Sequence, residues 1–179
     1  FSNTKSDLIL VTTHRRENFG EGLSNICEAI HALALEFTKY NFVFPVHFNP
    51  NVRDKVFGLL SGIENIFLID PVDYKRFVRL MHSSKIILTD SGGIQEEVFS
   101  LSIPTLVLRE NTERGEGIGH ENNQLVSLIG TDKFKIIASV KEIINQKQNT
   151  KSHFNPYGDG KASQRISDIL EKEIRNNNE

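Results

Sequence analysis

A chain of 179 residues is long enough for one domain with a sizeable core and short for a second full one. With 38% hydrophobic and 25% charged residues it has the proportions of a globular protein, which excludes a disordered or fibrous chain. A formal net charge of -2 provides no general attraction for polyanions, so nucleic acid is a poor partner and any phosphate must be held by a local site.

Cys27 is the sole cysteine, which rules out an internal disulfide and a multi-cysteine zinc site and suits a reducing, cytoplasmic compartment. No apolar run approaches the roughly 20 residues of a bilayer span, and no signal-peptide pattern opens the chain, so no membrane association is expected. The first residue is Phe1, and Phe1-Ser2-Asn3-Thr4-Lys5 leads almost at once into an apolar strand, as in a piece cut at a linker. Residues of a longer protein are therefore expected to be missing.

In chain order, apolar runs short enough to be strands occupy 8–11, 42–46, 66–69, 86–88 and 105–108, with a weaker one at 125–129. Between them run helical stripes. Leu23, Ile26, Cys27, Ile30, Leu33 and Phe37 recur at steps of three or four, the spacing of a helix packed on a sheet. Similar stripes are Val52, Val56, Leu59 and Leu60; Phe77, Leu80 and Met81; Ile94, Val98 and Leu101; and Ile136, Val140, Ile143 and Ile144. After Asn145 the chain turns polar, and Asn155-Pro156-Tyr157-Gly158-Asp159-Gly160 reads as a tight turn. A terminal helix over 161–175 carries Ile166, Ile169, Leu170 and Ile174, and residues 176–179 form a frayed tail. Near-continuous apolar strands joined by helical crossovers predict a doubly wound α/β domain with a parallel sheet, spanning 1–179.

Ligands of such sheets bind beyond the carboxyl ends of the strands, and the residues found there are unusually polar. The first strand runs into Thr13-His14-Arg15-Arg16-Glu17-Asn18, the second into His47-Phe48-Asn49, the third into Asp70-Pro71, the fourth into Asp90-Ser91-Gly92-Gly93 and the fifth into Arg109 through Arg114. Ser91-Gly92-Gly93 makes a flexible turn into a helix start, whose unpaired N–H groups and dipole favour an anion such as a diphosphate. It matches neither a P-loop nor a Gly-x-Gly-x-x-Gly fingerprint. Glu97, about one turn further on, suits the vicinal hydroxyls of a ribose. His14 is a candidate phosphate donor or general acid and Arg114 a forked phosphate donor. Each has a blander counterpart: a glycine turn, carboxylates complementing a helix dipole, a solvated loop histidine, a surface arginine. Their convergence on one rim of one sheet favours a site.

The sequences Thr13-His14-Arg15-Arg16-Glu17-Asn18, Pro45-Val46-His47, Asn49-Pro50-Asn51-Val52-Arg53, Thr89-Asp90-Ser91-Gly92-Gly93-Ile94-Gln95-Glu96-Glu97, Thr112-Glu113-Arg114 and Asn155 through Gly160 resemble the UDP-N-acetylglucosamine 2-epimerase family of the non-hydrolysing bacterial type. They fall in the family's order and cover nearly the whole chain. The resemblance implies the Rossmann-like C-terminal half of a GT-B-type fold, with the N-terminal domain absent and a homodimer at full length. It implies a UDP-sugar as substrate and neither metal nor cofactor. His14, the one catalytic candidate, and Arg114 would contact the diphosphate; Ser91, Gly92 and Gly93 would hold it; Glu97 would bind the ribose; and Val72 and Phe77 would flank the uracil. Arg15 and His47 match a possible regulatory UDP-sugar site. The implied reaction eliminates UDP from UDP-GlcNAc and adds it back to give UDP-ManNAc, with the isolated half inactive. Where the family has Pro-Glu after Thr-Glu-Arg, this chain has Gly115-Glu116-Gly117 and a longer loop through 123, expected to be more mobile. The alternatives are the donor-binding half of a GT-B glycosyltransferase and a non-catalytic nucleotide-binding module.

Overall fold

In the computed structural model, which describes residues 7–118, 125–146 and 155–176, strand periodicity becomes a single sheet. Its members are β1 (Leu8–Thr12), β2 (Asn41–Pro45), β3 (Ile66–Ile69), β4 (Ile86–Thr89), β5 (Thr105–Val107) and β6 (Val126–Leu128), in the spatial order β3-β2-β1-β4-β5-β6. Every neighbouring pair is parallel. The connecting helices are α1 (Glu21–Glu36), α2 (Pro50–Leu60), α3 (Tyr74–Ser83), α4 (Gly92–Leu101) and α5 (Lys133–Asn145), followed by α6 (Ala162–Asn176).

The strands read as unbroken apolar runs because both of their faces are covered, and successive side chains alternate between two cores. Ile9 and Val11 of β1, Phe42 and Phe44 of β2, and Ile86 and Leu88 of β4 meet Leu23, Ile26 and Ile30 of α1, Val52 and Val56 of α2, and Ile136 and Val140 of α5. Leu8, Leu10, Val43 and Ile87 point the other way, to Met81 of α3 and to Ile94, Val98 and Phe99 of α4. Burying one such side chain stabilises the fold by about 1.5–3 kcal/mol, so this two-faced cover is the principal source of stability. Helix starts are set by side-chain caps: Asn49 accepts from the Asn51 N–H with Pro50 at the first helical position, and Asp73 and Asp132 accept from the N–H groups of Arg76 and Lys135.

The expected boundaries hold to within a residue or so. β2 lies one position earlier than the apolar run, yet the Val46 N–H still donates to Ile69 O at 2.8 Å, so the ladder outlasts the strand. The turn at 155–160 is present, with Asn155 Oδ1 accepting from the Tyr157 N–H at 3.0 Å and φ positive at Gly158 and Gly160. Of the long glycine loop, 119–124 lie outside the described residues, as do 1–6 and 177–179 of the tail. The apolar stripe expected on the last helix is present but turned to solvent: Ile166, Ile169, Leu170 and Ile174 are all more than half exposed.

Cys27 sits on the sheet-facing side of α1, fully buried, and burial pushes its thiol up to about 12. At pH 8 the thiolate is then present in on the order of one molecule in ten thousand. Iodoacetamide should leave the folded chain untouched at that pH and alkylate it once urea has opened the core. Equal alkylation rates in buffer and in urea would mean that α1 does not hold its place.

Candidate functional site

The strand order reverses between β1 and β4, so the loops leaving these two central strands turn to opposite faces and open a crevice at their carboxyl ends. Asp90, the first residue after β4, organises it. Its carboxylate is completely buried and accepts from Thr13 Oγ1 at 2.6 Å, from the His14 N–H at 3.0 Å, from the Arg15 N–H at 2.9 Å and from Asn18 Nδ2 at 3.1 Å. Asn18 also donates to Leu108 O at 3.1 Å, tying the same loop to the end of β5. The imidazole Nδ1 of His14 lies 3.4 Å from Asp90 Oδ1. The loop after β1 is thus wound around one buried acid.

Two guanidinium groups reach the start of α4. A Cβ built on Gly92 would lie 3.7 Å from Arg15 Nη2 and 3.8 Å from Arg114 Cζ, so the glycine leaves a space bordered by both cations at a helix N-terminus. Arg15 Nε is buried and has no hydrogen-bond partner among the described residues. Arg114 donates through Nε to Glu96, which holds its guanidinium firmly protonated while leaving both Nη groups outside that bond.

The loop carrying Arg114 is pinned to α4. Thr112 Oγ1 donates to Oε1 of the fully buried Gln95 at 2.8 Å, and the Arg114 N–H donates to Thr112 Oγ1 at 3.1 Å. From the turn after α5, the Tyr157 hydroxyl donates to Arg114 O at 3.1 Å while its ring packs edge-on against Phe99. Gly117 is needed there: a Cβ would come within 2.6 Å of the Tyr157 hydroxyl and 3.0 Å of Phe99 Cε2. Gly117 therefore serves a close packing, whereas Gly115, at the position where the resembled family has proline, meets nothing within 4 Å of an added Cβ; Gly115–Gly117 form a 3-10 turn. Behind this wall the buried Arg109 donates to Glu17 at 2.5 Å, joining the loops after β5 and β1; that hydrogen bond raises the guanidinium's pKa against the opposing effect of burial.

Of the residues expected at the site, His14, Ser91, Gly92 and Arg114 gather at this crevice, and Arg15, assigned by resemblance to a second site, borders it too. His47 stacks on His14 with ring centroids 5.8 Å apart, and its Nδ1 accepts from the Asn49 N–H. Gly93 follows in the first turn of α4 with nothing within 4 Å of an added Cβ. Glu97 projects from α4 toward α3, where the Tyr74 hydroxyl donates to its Oε2 at 3.2 Å; the negative carboxylate raises the phenol's pKa. Val72 lines a groove of about 840 Å³ between α3 and the β2/β3 edge, together with Phe67 and Ile69, and Phe77 packs against the α3/α4 core. Sequence reasoning missed Asp90, Gln95 and Tyr74 as working residues. The one available signal was an acid one residue beyond the apolar run Ile86-Ile87-Leu88 and its Thr89, next to Ser-Gly-Gly.

Comparison with known proteins matches this arrangement to one family. The family model described as UDP-N-acetylglucosamine 2-epimerase matches residues 2–171. A curated UDP-N-acetylglucosamine 2-epimerase of Yersinia pestis is 48% identical over 174 residues, covering 95% of this chain and 45% of that protein. A crystal structure of UDP-GlcNAc 2-epimerase from Neisseria meningitidis bound to UDP-GlcNAc superposes with a TM-score of 0.80 at 44% identity, over 93% of this chain and 45% of that one. The S. aureus MnaA-UDP co-structure gives a TM-score of 0.85 at 38% identity, over 96% of this chain and 47% of that one. The chain thus spans about half the length of the relatives it matches, as the C-terminal, Rossmann-like half of a GT-B-like fold. No helix among the described residues is long and apolar enough to cross a membrane. With a family model matched along almost its whole length, the chain belongs to the UDP-N-acetylglucosamine 2-epimerase family.

Proposed function

We propose that this chain is the UDP-holding half of an enzyme that interconverts UDP-GlcNAc and UDP-ManNAc. The observation that carries the reading is the space over Gly92, bordered by the guanidiniums of Arg15 and Arg114 and by the loop that bears His14. Two cations and a helix N-terminus suit a diphosphate, and the relatives solved with UDP-GlcNAc and with UDP support the same ligand.

In this reading His14 and Arg114 contact the diphosphate, Ser91, Gly92 and Gly93 donate to it, Glu97 accepts from the ribose hydroxyls, and Val72 and Phe77 flank the uracil. Arg15 and His47 border a second, regulatory UDP-sugar site. Elimination breaks the anomeric C–O bond and leaves negative charge on the departing UDP, giving a 2-acetamidoglucal; re-addition with the opposite configuration at C2 gives UDP-ManNAc. Donors held in place before the bond breaks stabilise that charge without reorganising, which is the contribution assigned to this half. The acidic groups that move the C2 proton belong to the other half of the protein, so this chain binds UDP and turns nothing over. The full-length enzyme is a cytoplasmic homodimer.

Calorimetry tests the assignment. UDP should bind the chain, and Arg114→Ala and Glu97→Ala should each weaken binding about tenfold, the loss of one charge-assisted contact. Unchanged affinity in both variants would remove these residues from the site, and a full-length protein that forms no UDP-ManNAc would remove the activity.

A further inference from the structure

Glu97 is the only element of the proposed ribose site, and a glutamate on a helix surface has several rotamers open to it. Its neighbour Glu96 is turned to the Arg114 side of α4, whereas Glu97 is turned toward α3. There it meets Tyr74, the first residue of α3, whose place is set by the Asp73 cap directly before it. Tyr74 is 68% exposed, so it adds little to the core, and among the described residues its hydroxyl makes one hydrogen bond, at 3.2 Å to Glu97 Oε2.

Resting on the UDP-holding reading above, we infer that Tyr74 is a positioning residue, which holds the Glu97 carboxylate at the rim and thereby makes the site prefer a ribonucleotide to a 2′-deoxyribonucleotide. A carboxylate offers about four lone-pair directions. One of them, on Oε2, is taken by the phenol; a second on Oε2 and those on Oε1 stay open to a pair of vicinal hydroxyls. The two hydroxyl bonds require the carboxylate plane to be fixed, and the contact from α3 supplies a second anchor that α4 alone does not. The negative charge of Glu97 keeps the phenol protonated, so Tyr74 remains a donor throughout the neutral and mildly alkaline range. Removing the hydroxyl frees the carboxylate to swing into solvent. The ribose then loses the advantage of its 2′-hydroxyl, while contacts to the diphosphate stay as they were.

The test is calorimetric titration of the 179-residue chain with UDP, 2′-deoxy-UDP and inorganic pyrophosphate, in wild type, Tyr74→Phe, Glu97→Gln and the double variant. Wild type should prefer UDP to 2′-deoxy-UDP by about tenfold, the worth of one hydrogen bond to a charged group, and Tyr74→Phe should cut that preference to about twofold to threefold. Pyrophosphate affinity should be the same in all four proteins. In the Glu97→Gln background, adding Tyr74→Phe should change nothing further, whereas a hydroxyl that acted on the nucleotide directly would still show its own loss there. A preference retained in Tyr74→Phe overturns the positioning role, as does a wild type that binds both nucleotides equally. Failure of wild type to bind UDP or pyrophosphate at all instead overturns the UDP-holding reading itself. The exposed ring makes loss of fold in Tyr74→Phe easy to detect, since its thermal midpoint should match wild type.

Discussion

Asp90→Ala should destabilise the chain by about 3–5 kcal/mol and abolish UDP binding. The carboxylate is fully buried, and its removal strands the Thr13 hydroxyl, the His14 and Arg15 N–H groups and the Asn18 amide at once. Each buried donor left unpaired costs about 1–3 kcal/mol, moderated here because the His14 and Arg15 groups are only part-buried and water can reach them. Set against the 5–15 kcal/mol typical of a whole domain, that loss is large. Asp90→Asn should fall between, because its amide oxygen still accepts while its NH2 is pressed against a set of donors. Urea denaturation measures the stability change and calorimetry the binding. A loss under about 1 kcal/mol for Asp90→Ala would show that the loop after β1 does not depend on this acid.

Gly92→Ala should leave stability within about 0.5 kcal/mol of wild type yet weaken UDP binding by about a hundredfold. The added methyl meets only ordinary contacts in the free chain, 3.7 Å to Arg15 Nη2 and 3.8 Å to Arg114 Cζ, and φ at this position is not one that requires glycine. It occupies the space between the two cations, where a diphosphate oxygen would approach the helix terminus. Gly93→Ala is the companion variant: an added Cβ there meets nothing within 4 Å, so its effect on affinity should be several-fold at most. Equal losses at the two positions would mean that the turn's backbone, and not the space between the guanidiniums, determines binding.

These two residues differ in how visible they were beforehand. Gly92 stands in a strand-turn-helix pattern that suits an anion or simply makes a turn, and the structure adds the two cations that border it. Asp90 is adjacent in sequence, but nothing local distinguishes a carboxylate facing solvent from one that accepts from a loop 75–77 positions away. Arg15 illustrates the same limit: resemblance attached it to a second site, and the fold brings its guanidinium beside Gly92 as well.

What the chain's residue order determined by itself was everything that repeats with a local period or sits at a strand's end: the strand and helix succession, the doubly wound class, and the polar rim that holds His14, Ser91, Gly92 and Arg114. Hydrophobic periodicity suffices for this because burial on one or both faces acts through neighbours two to four positions apart. Only the tertiary structure decided that Asp90 anchors the loop after β1, that Tyr74 meets Glu97 across 23 positions, that Tyr157 pins the carbonyl of Arg114 across 43, and that the stripe of α6 faces solvent. Each of these is a single contact, or an exposed face, set by how whole elements lie against one another, and a lone hydrogen bond between distant positions leaves no periodic trace in the order of the residues.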